Sequence, residues 1–159
     1  LPYPGGPHIE RIAREGNPSK FNYPRPMLNS DDLNLSFSGL KTAVLYSIRD
    51  LDNLDEHIAD IAASFQQAAI EVLVSKIKKA LIKTNRDTLI LAGGVAANML
   101  LRDEMNKLED EYGIKVRYPE MKHCTDNAAM IAYLGSLKSV DLSKQGISCA
   151  RPRWPLDEV

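Results

Sequence analysis

The chain has 159 residues, a mass of 17.7 kDa, 44% hydrophobic and 26% charged residues, and a net charge of -1 with neutral histidines. That balance excludes a disordered chain, a collagen and a long coiled coil, and it fits one medium domain or two small lobes. The charge excludes a polycation that holds nucleic acid by counterion release alone. No apolar run in the sequence approaches the roughly 20 residues of a membrane span, and the first residues lack the basic-then-apolar order of a signal peptide. A soluble, cytoplasmic protein without a membrane partner is expected. Cys124 and Cys149 are the only cysteines and form no CxxC, so both read as reduced thiols.

At the N-terminal end, Tyr3-Pro4-Gly5-Gly6-Pro7 has the chemistry of a turn that joins two elements inside a domain. With no initiator Met before it, the chain is expected to be a fragment that carries the natural C-terminal end. After the turn, Ile9, Ile12 and Ala13 are spaced for a short amphipathic helix from His8, ended by Gly16-Asn17-Pro18. Arg11, Arg14, Lys20 and Arg25 outnumber Glu10 and Glu15 beside Phe21 and Tyr23, a local basic stretch. Asn34-Leu35-Ser36-Phe37 alternates like a strand, and Leu40, Val44, Leu45 and Ile48 predict a second helix.

The longest signal runs from Asp55 to Ile82, with Ile58, Ile61, Phe65, Ala69 and Val72 at steps of three or four and no Gly or Pro. Asp55 is the expected N-cap, and Lys76, Lys78, Lys79 and Lys83 read as a solvated, dipole-matched helix end. Thr88 to Ala92 is then a buried strand, Gly93-Gly94 a turn, and Val95 to Leu108 a helix. Lys115 to Tyr118 is a second strand, and a helix of small residues runs from Asp126 towards Gly135. The order of elements is α/β. The chain closes on a proline-punctuated tail with its single tryptophan, Trp154.

Three constellations carry chemistry. In LILAGGVAAN, Gly93 and Gly94 after a strand let backbone approach a ligand without a Cβ in the way, and the Asn98 amide can both donate and accept. An adenine or ribose suits that site; a tight turn needed only for packing is the alternative. In PGGPHIE, Glu10 falls four residues after Gly6, where a carboxylate can accept hydrogen bonds from ribose hydroxyls or merely favour a helix N-terminus. In HCTDN, Asp126 is either one ligand of an iron or zinc site finished by other parts of the molecule or the N-cap of the following helix. His8 and His57 read as packing residues. The absence of GxSxG and HExxH leaves no self-contained hydrolase.

Taken together, LPYPGG, NYPRPM, SFSGLKTAV, LAGGVAAN, CTDNAAMIA and RPRWPLD resemble the C-terminal half of the TsaD family, the tRNA adenosine threonylcarbamoyltransferases once labelled O-sialoglycoprotein endopeptidases. The resemblance implies an actin, hexokinase and Hsp70-like (ASKHA) fold, of which residues 1–159 would supply most of the second lobe while the N-terminal lobe is absent. It implies transfer of a threonylcarbamoyl group from threonylcarbamoyl-adenylate to the exocyclic nitrogen of the adenosine beside the anticodon. By motif position, Gly6, Glu10, Gly93, Gly94 and Asn98 would bind the adenylate, and Asp126 would ligate one divalent ion, iron or zinc. Two histidines of an HxxxH motif would complete that ion; no such pair occurs in this sequence, so they are expected outside it. An aspartate upstream of the PGG turn and the loop for the acyl end are also absent, and His123 is no part of the motif. The resemblance further implies tRNA and, in bacteria, a paralogous subunit and a small ATPase as partners. The competing readings are an ASKHA-type small-molecule kinase, which would not need CTDNAA or the RPRWPLD tail, and a metallopeptidase. By itself the chain is expected to bind nucleotide feebly and not to catalyse transfer.

Overall fold

The computed structural model describes residues 2–137. They fall into two compact units, one ending at Thr125 and one starting at Asp126. Cys149, Trp154 and the RPRWPLD tail lie outside the described residues.

The first unit is organised on one long helix. Helix α1 spans Gly5–Ala13, α2 Ser38–Arg49 and α3 Leu54–Thr84; a parallel pair follows, β1 Thr88–Ile90 and β2 Lys115–Arg117, joined through α4 Met99–Tyr112. At 31 residues α3 reaches about 46 Å. It is long and apolar enough, by length and composition, to cross a membrane, which the sequence reading had not found. Here three separate clusters cover it. Ile9, Ile12 and Ala13 of α1 pack on Ala62 and Ala63. Tyr23 and Leu40 close over Ile61 and Ala68. Ile70 and Leu81 meet Leu101, Met105 and Leu108 of α4, with Ile114 and Val116 beneath. β1 pairs with β2 in register, Leu89 opposite Val116, and the side chains of this register position face the α3–α4 core. The βαβ order expected for the second half of the sequence is therefore present, and the chain is α/β.

Several local expectations give way to packing. α1 starts at Gly5, so the two N-terminal glycines lie in its first turn instead of a turn before it; Pro4 is extended at the N-cap, and Pro7 in the first turn forgoes only an N–H that has no helical partner. Residues 34–37 form no strand. Their alternation finds no neighbouring strand, and Leu35 and Phe37 stay partly exposed. Asn53, not Asp55, is the N-cap residue of α3, with Asp55 and Glu56 in the first turn, where their charge suits the helix dipole. Asn85 ends α3 in the left-handed region at φ 50°.

The lysines near the end of α3 are not a uniform solvated face. Lys76 is 4% exposed and its Nζ donates to Ser30 O (3.1 Å), Ser30 Oγ (2.7 Å) and Asp32 O (2.8 Å). Lys79 donates to Ser30 O at 2.7 Å, and Lys78 pairs with Glu111 of α4. Two ammonium groups thus tie the 28–32 loop to the helix by satisfying its carbonyls. Upstream, Gly16 passes so close to α3 that a Cβ there would lie 2.0 Å from Ala59 O. Asn17 N–H donates to Asp60 Oδ1, and Phe21 N–H to the buried Ser64 hydroxyl. The second unit contributes α5, Ala128–Leu137, in which no described residue is buried.

Candidate functional site

The site forms around the start of α4. β1 ends at Ile90, and Gly93 takes φ 84°, ψ 176°, a conformation essentially reserved for glycine. A 3-10 turn, Gly94–Ala97, follows. Asn98 then enters extended, so it is the N-cap of α4 and not a residue within the helix as the sequence spacing had placed it. Its Oδ1 accepts the Leu101 N–H at 3.0 Å, and its Nδ2 donates to Gln66 Oε1 of α3 at 2.9 Å. The next orphan donor of the helix, Met99 N–H, is taken by Glu10 Oε1 at 2.9 Å. Glu10 reaches from α1, 89 residues away, and Arg14 stands 3.7 Å from the same oxygen.

Glu10 and Asn98 are therefore brought together as two caps of one helix N-terminus, each with a second polar position to spare. The Glu10 side chain is 18% exposed. Among the described residues, a Cβ on Gly93 or Gly94 would meet nothing within 4 Å. Gly6 is exposed in the first turn of α1 and has the same free space, so neither its φ nor crowding by the described residues demands glycine there. A groove of about 390 Å³ does exist elsewhere, between Phe21, Arg25 and the Gln67–Glu71 turn of α3, but none of the candidate residues lines it. In that groove Arg25 donates to Glu71 Oε2 at 2.7 Å. Its charge is thereby matched, which weakens the basic stretch read from the sequence.

Arg102 ties the Gly94–Ala97 turn to its surroundings. Its Nε donates to Ala96 O (2.6 Å), closing the 3-10 turn, and its Nη2 reaches Pro119 O (3.1 Å) and Cys124 Sγ (3.3 Å). The guanidinium also lies over the Tyr118 ring, 4.4 Å from its centroid. Sequence reasoning missed both Arg102 and Gln66. Gln66 had one visible signal, a polar residue beside Phe65 in the middle of an apolar helix; Arg102 had none.

The family model for "TsaD: tRNA N6-adenosine threonylcarbamoyltransferase" matches residues 1–133. This chain belongs to the TsaD family. Curated relatives of that same printed description include one from Thermosipho africanus, 51% identical over 93% of this chain and 44% of its own length. Another, from Methylobacillus flagellatus, is 48% identical over 100% of this chain and 48% of its own length. A third, from Variovorax paradoxus, is 45% identical over 98% of this chain and 46% of its own length. The chain spans about half the length of the curated relatives it matches.

The remaining candidate residue, Asp126, belongs to the second unit. It is exposed in the segment before α5. The cap of that helix is its neighbour: Asn127 Oδ1 accepts the Met130 N–H at 3.1 Å. The alternative reading of Asp126 as N-cap is thereby corrected. Among the described residues no three His, Cys, Asp or Glu side chains cluster as a metal site. A metal fits Asp126 as one exposed carboxylate ligand only, and the rest of its coordination would come from elsewhere. Of the histidines, His57 packs edge-on against Phe21, with centroids 6.2 Å apart, and His123 lies exposed in the 3-10 turn Met121–His123.

Proposed function

We propose that this chain forms part of the adenylate cradle of a tRNA N6-adenosine threonylcarbamoyltransferase with the two-lobed ASKHA fold, residues 1–159 contributing to the second lobe. The observation that carries the reading is the Glu10 Oε1 to Met99 N–H bond of 2.9 Å. It brings Glu10 of the PGG-helix motif to the helix end that directly follows LAGGVAAN, which supports one small ligand touching both.

In this reading the exocyclic amine of the target adenosine attacks the carbamoyl carbon of threonylcarbamoyl-adenylate. The new C–N bond replaces the C–O bond to the phosphate, the amine loses a proton, and AMP departs. The residues of this chain act on the leaving nucleotide. The free oxygen of Glu10 accepts hydrogen bonds from ribose hydroxyls, Asn98 offers its second N–H and second lone pair, and the backbone at Gly6, Gly93 and Gly94 lets the nucleotide approach closely. Asp126 supplies one carboxylate to an iron or zinc ion completed by histidines outside this sequence. That ion supplies Lewis-acid polarisation when bound. tRNA is the acceptor, a paralogous subunit and a small ATPase are the partner proteins in a bacterial setting, and the compartment is the cytoplasm.

Titrating this chain with AMP, followed by amide chemical-shift changes, tests the cradle. Weak, saturable shifts at Glu10, Gly93, Gly94 and Asn98 are expected, with no tRNA modification by the chain alone. Shifts confined to the groove at Phe21 and Arg25, or none at all, would refute it, as would transfer activity without the histidine-bearing half.

A further inference from the structure

We propose that Gln66 of α3 is a positioning residue for Asn98: it locks the Asn98 amide in the one orientation that serves both the helix and a ligand. Leu101 N–H is backbone, so the Asn98 atom 3.0 Å from it must be the oxygen. The other end of the amide is then the nitrogen, and the Gln66 atom 2.9 Å from that nitrogen must be an oxygen. One backbone N–H thus fixes the sense of two side-chain amides in series. Each end of the Asn98 amide is held, so its plane cannot turn.

An asparagine side chain has two N–H donors and two acceptor positions. Leu101 takes one acceptor position and Gln66 one donor, which leaves one of each for a ligand. If Gln66 lost its acceptor oxygen, the Leu101 cap bond would survive, because it needs only the Asn98 oxygen. The amide could then swing about that bond and its spare donor would no longer have a fixed direction. Gln66 can impose this constraint because its backbone belongs to the centre of α3, between residues packed on two clusters: Phe65 and Ala68 on the Tyr23–Leu40 side, and Ile70 on the α4 side. The consequence for nucleotide affinity rests on the adenylate reading above; the constraint on the Asn98 amide does not.

The test uses Gln66→Leu, which removes the acceptor with a good helix former, and Gln66→Glu, which restores an oxygen at the same place. Three signals are read on the full chain: the Asn98 side-chain NH2 resonances, hydrogen-exchange protection of the Leu101 amide, and AMP affinity. In Gln66→Leu the Asn98 resonances are expected to move and exchange faster while Leu101 stays protected. AMP should bind about three- to tenfold more weakly, the worth of one oriented hydrogen bond. Gln66→Glu should recover all three. Unchanged Asn98 resonances, or unchanged AMP affinity in a chain whose Asn98 resonances have moved, would overturn the positioning role. Loss of Leu101 protection in step with the others would also overturn it, since Gln66 would then only hold the helix end. A wild-type chain that does not bind AMP defeats the adenylate reading, and the Asn98 resonances of Gln66→Leu still decide whether Gln66 orients that amide.

Discussion

Gly93 and Gly94 separate a folding requirement from a binding one. At Gly93, φ 84° and ψ 176° lie in a region that side chains with a Cβ hardly enter. Among the described residues nothing lies within 4 Å of where its Cβ would go, so an alanine there meets no obstacle from them and only the backbone is strained. That strain is about 2 kcal/mol. With roughly 2–4 °C of melting temperature per kcal/mol for a chain of this size, Gly93→Ala should lower the midpoint by about 4–8 °C. Gly94 starts the 3-10 turn without positive φ, and its Cβ would also meet open space. Gly94→Ala should therefore leave the midpoint unchanged or raise it slightly, because alanine restricts the unfolded chain more than glycine does. A nucleotide phosphate or ribose lying on that open backbone would, however, meet the new methyl group. Thermal unfolding followed by circular dichroism, paired with AMP titration of each variant, reads both effects. Gly94→Ala binding AMP as well as the unsubstituted chain would refute the idea that these glycines serve ligand approach. A Gly93→Ala protein with an unaltered midpoint would refute the strain argument.

Two further outcomes follow from a buried hydroxyl and a half-exposed carboxylate. Tyr23 is 3% exposed and its hydroxyl has no partner among the described residues, so Tyr23→Phe should leave stability unchanged or raise it by up to about 1 kcal/mol, visible in the urea midpoint. At Glu71, burial opposes ionisation, yet the hydrogen bonds from Arg25 and Gln67 outweigh it and hold the carboxyl below its ordinary value of 4.5. A carboxyl whose folded pKa is depressed adds stability above its unfolded pKa and loses it as pH falls through the folded one. Urea midpoints taken from pH 6 down to pH 3 should therefore drop less steeply in Glu71→Gln than in the unsubstituted chain. Identical slopes would show that the Arg25 pair contributes nothing.

Where a single element carries its own signal, the sequence and the structure agree closely. The α2 and α3 patterns recur at three and four residues, and the helices begin and end within a few residues of the expected places. The strand expected at 34–37 fails because alternation describes a face but cannot supply a partner, and the described residues contain only the β1–β2 pair. The N-terminal glycines resemble a turn in sequence because Gly-Pro punctuation is ambiguous at a helix start, where proline and glycine are both tolerated. The burial of Lys76 is invisible in the local sequence because it depends on carbonyls of a loop 44 and 46 residues away. Gln66 was silent for the same reason, its partner lying 32 residues along the chain. Motif spacing picked out Glu10 and Asn98, but only the folded chain shows that they share a helix end.

On the proposed function, that shared end makes the candidate binding residues folding residues as well. Glu10 and Asn98 each use one oxygen to satisfy an orphan N–H of α4; Glu10 keeps its second oxygen, and Asn98, whose nitrogen also donates to Gln66, keeps one N–H and one acceptor position. A cradle built this way is rigid before any ligand arrives, because the helix cap that stabilises the fold also sets the direction of the polar groups. The same economy confuses the usual experiment. Replacing Asn98 by alanine removes a cap worth about 1 kcal/mol together with any ligand contact, so a loss of binding in that variant cannot be assigned to either. Glu10 carries the same ambiguity through Met99. The informative positions lie one step away, at Gly94, where a methyl group can block the approach while the fold is untouched, and at Gln66, where the amide can be released while the helix stays capped.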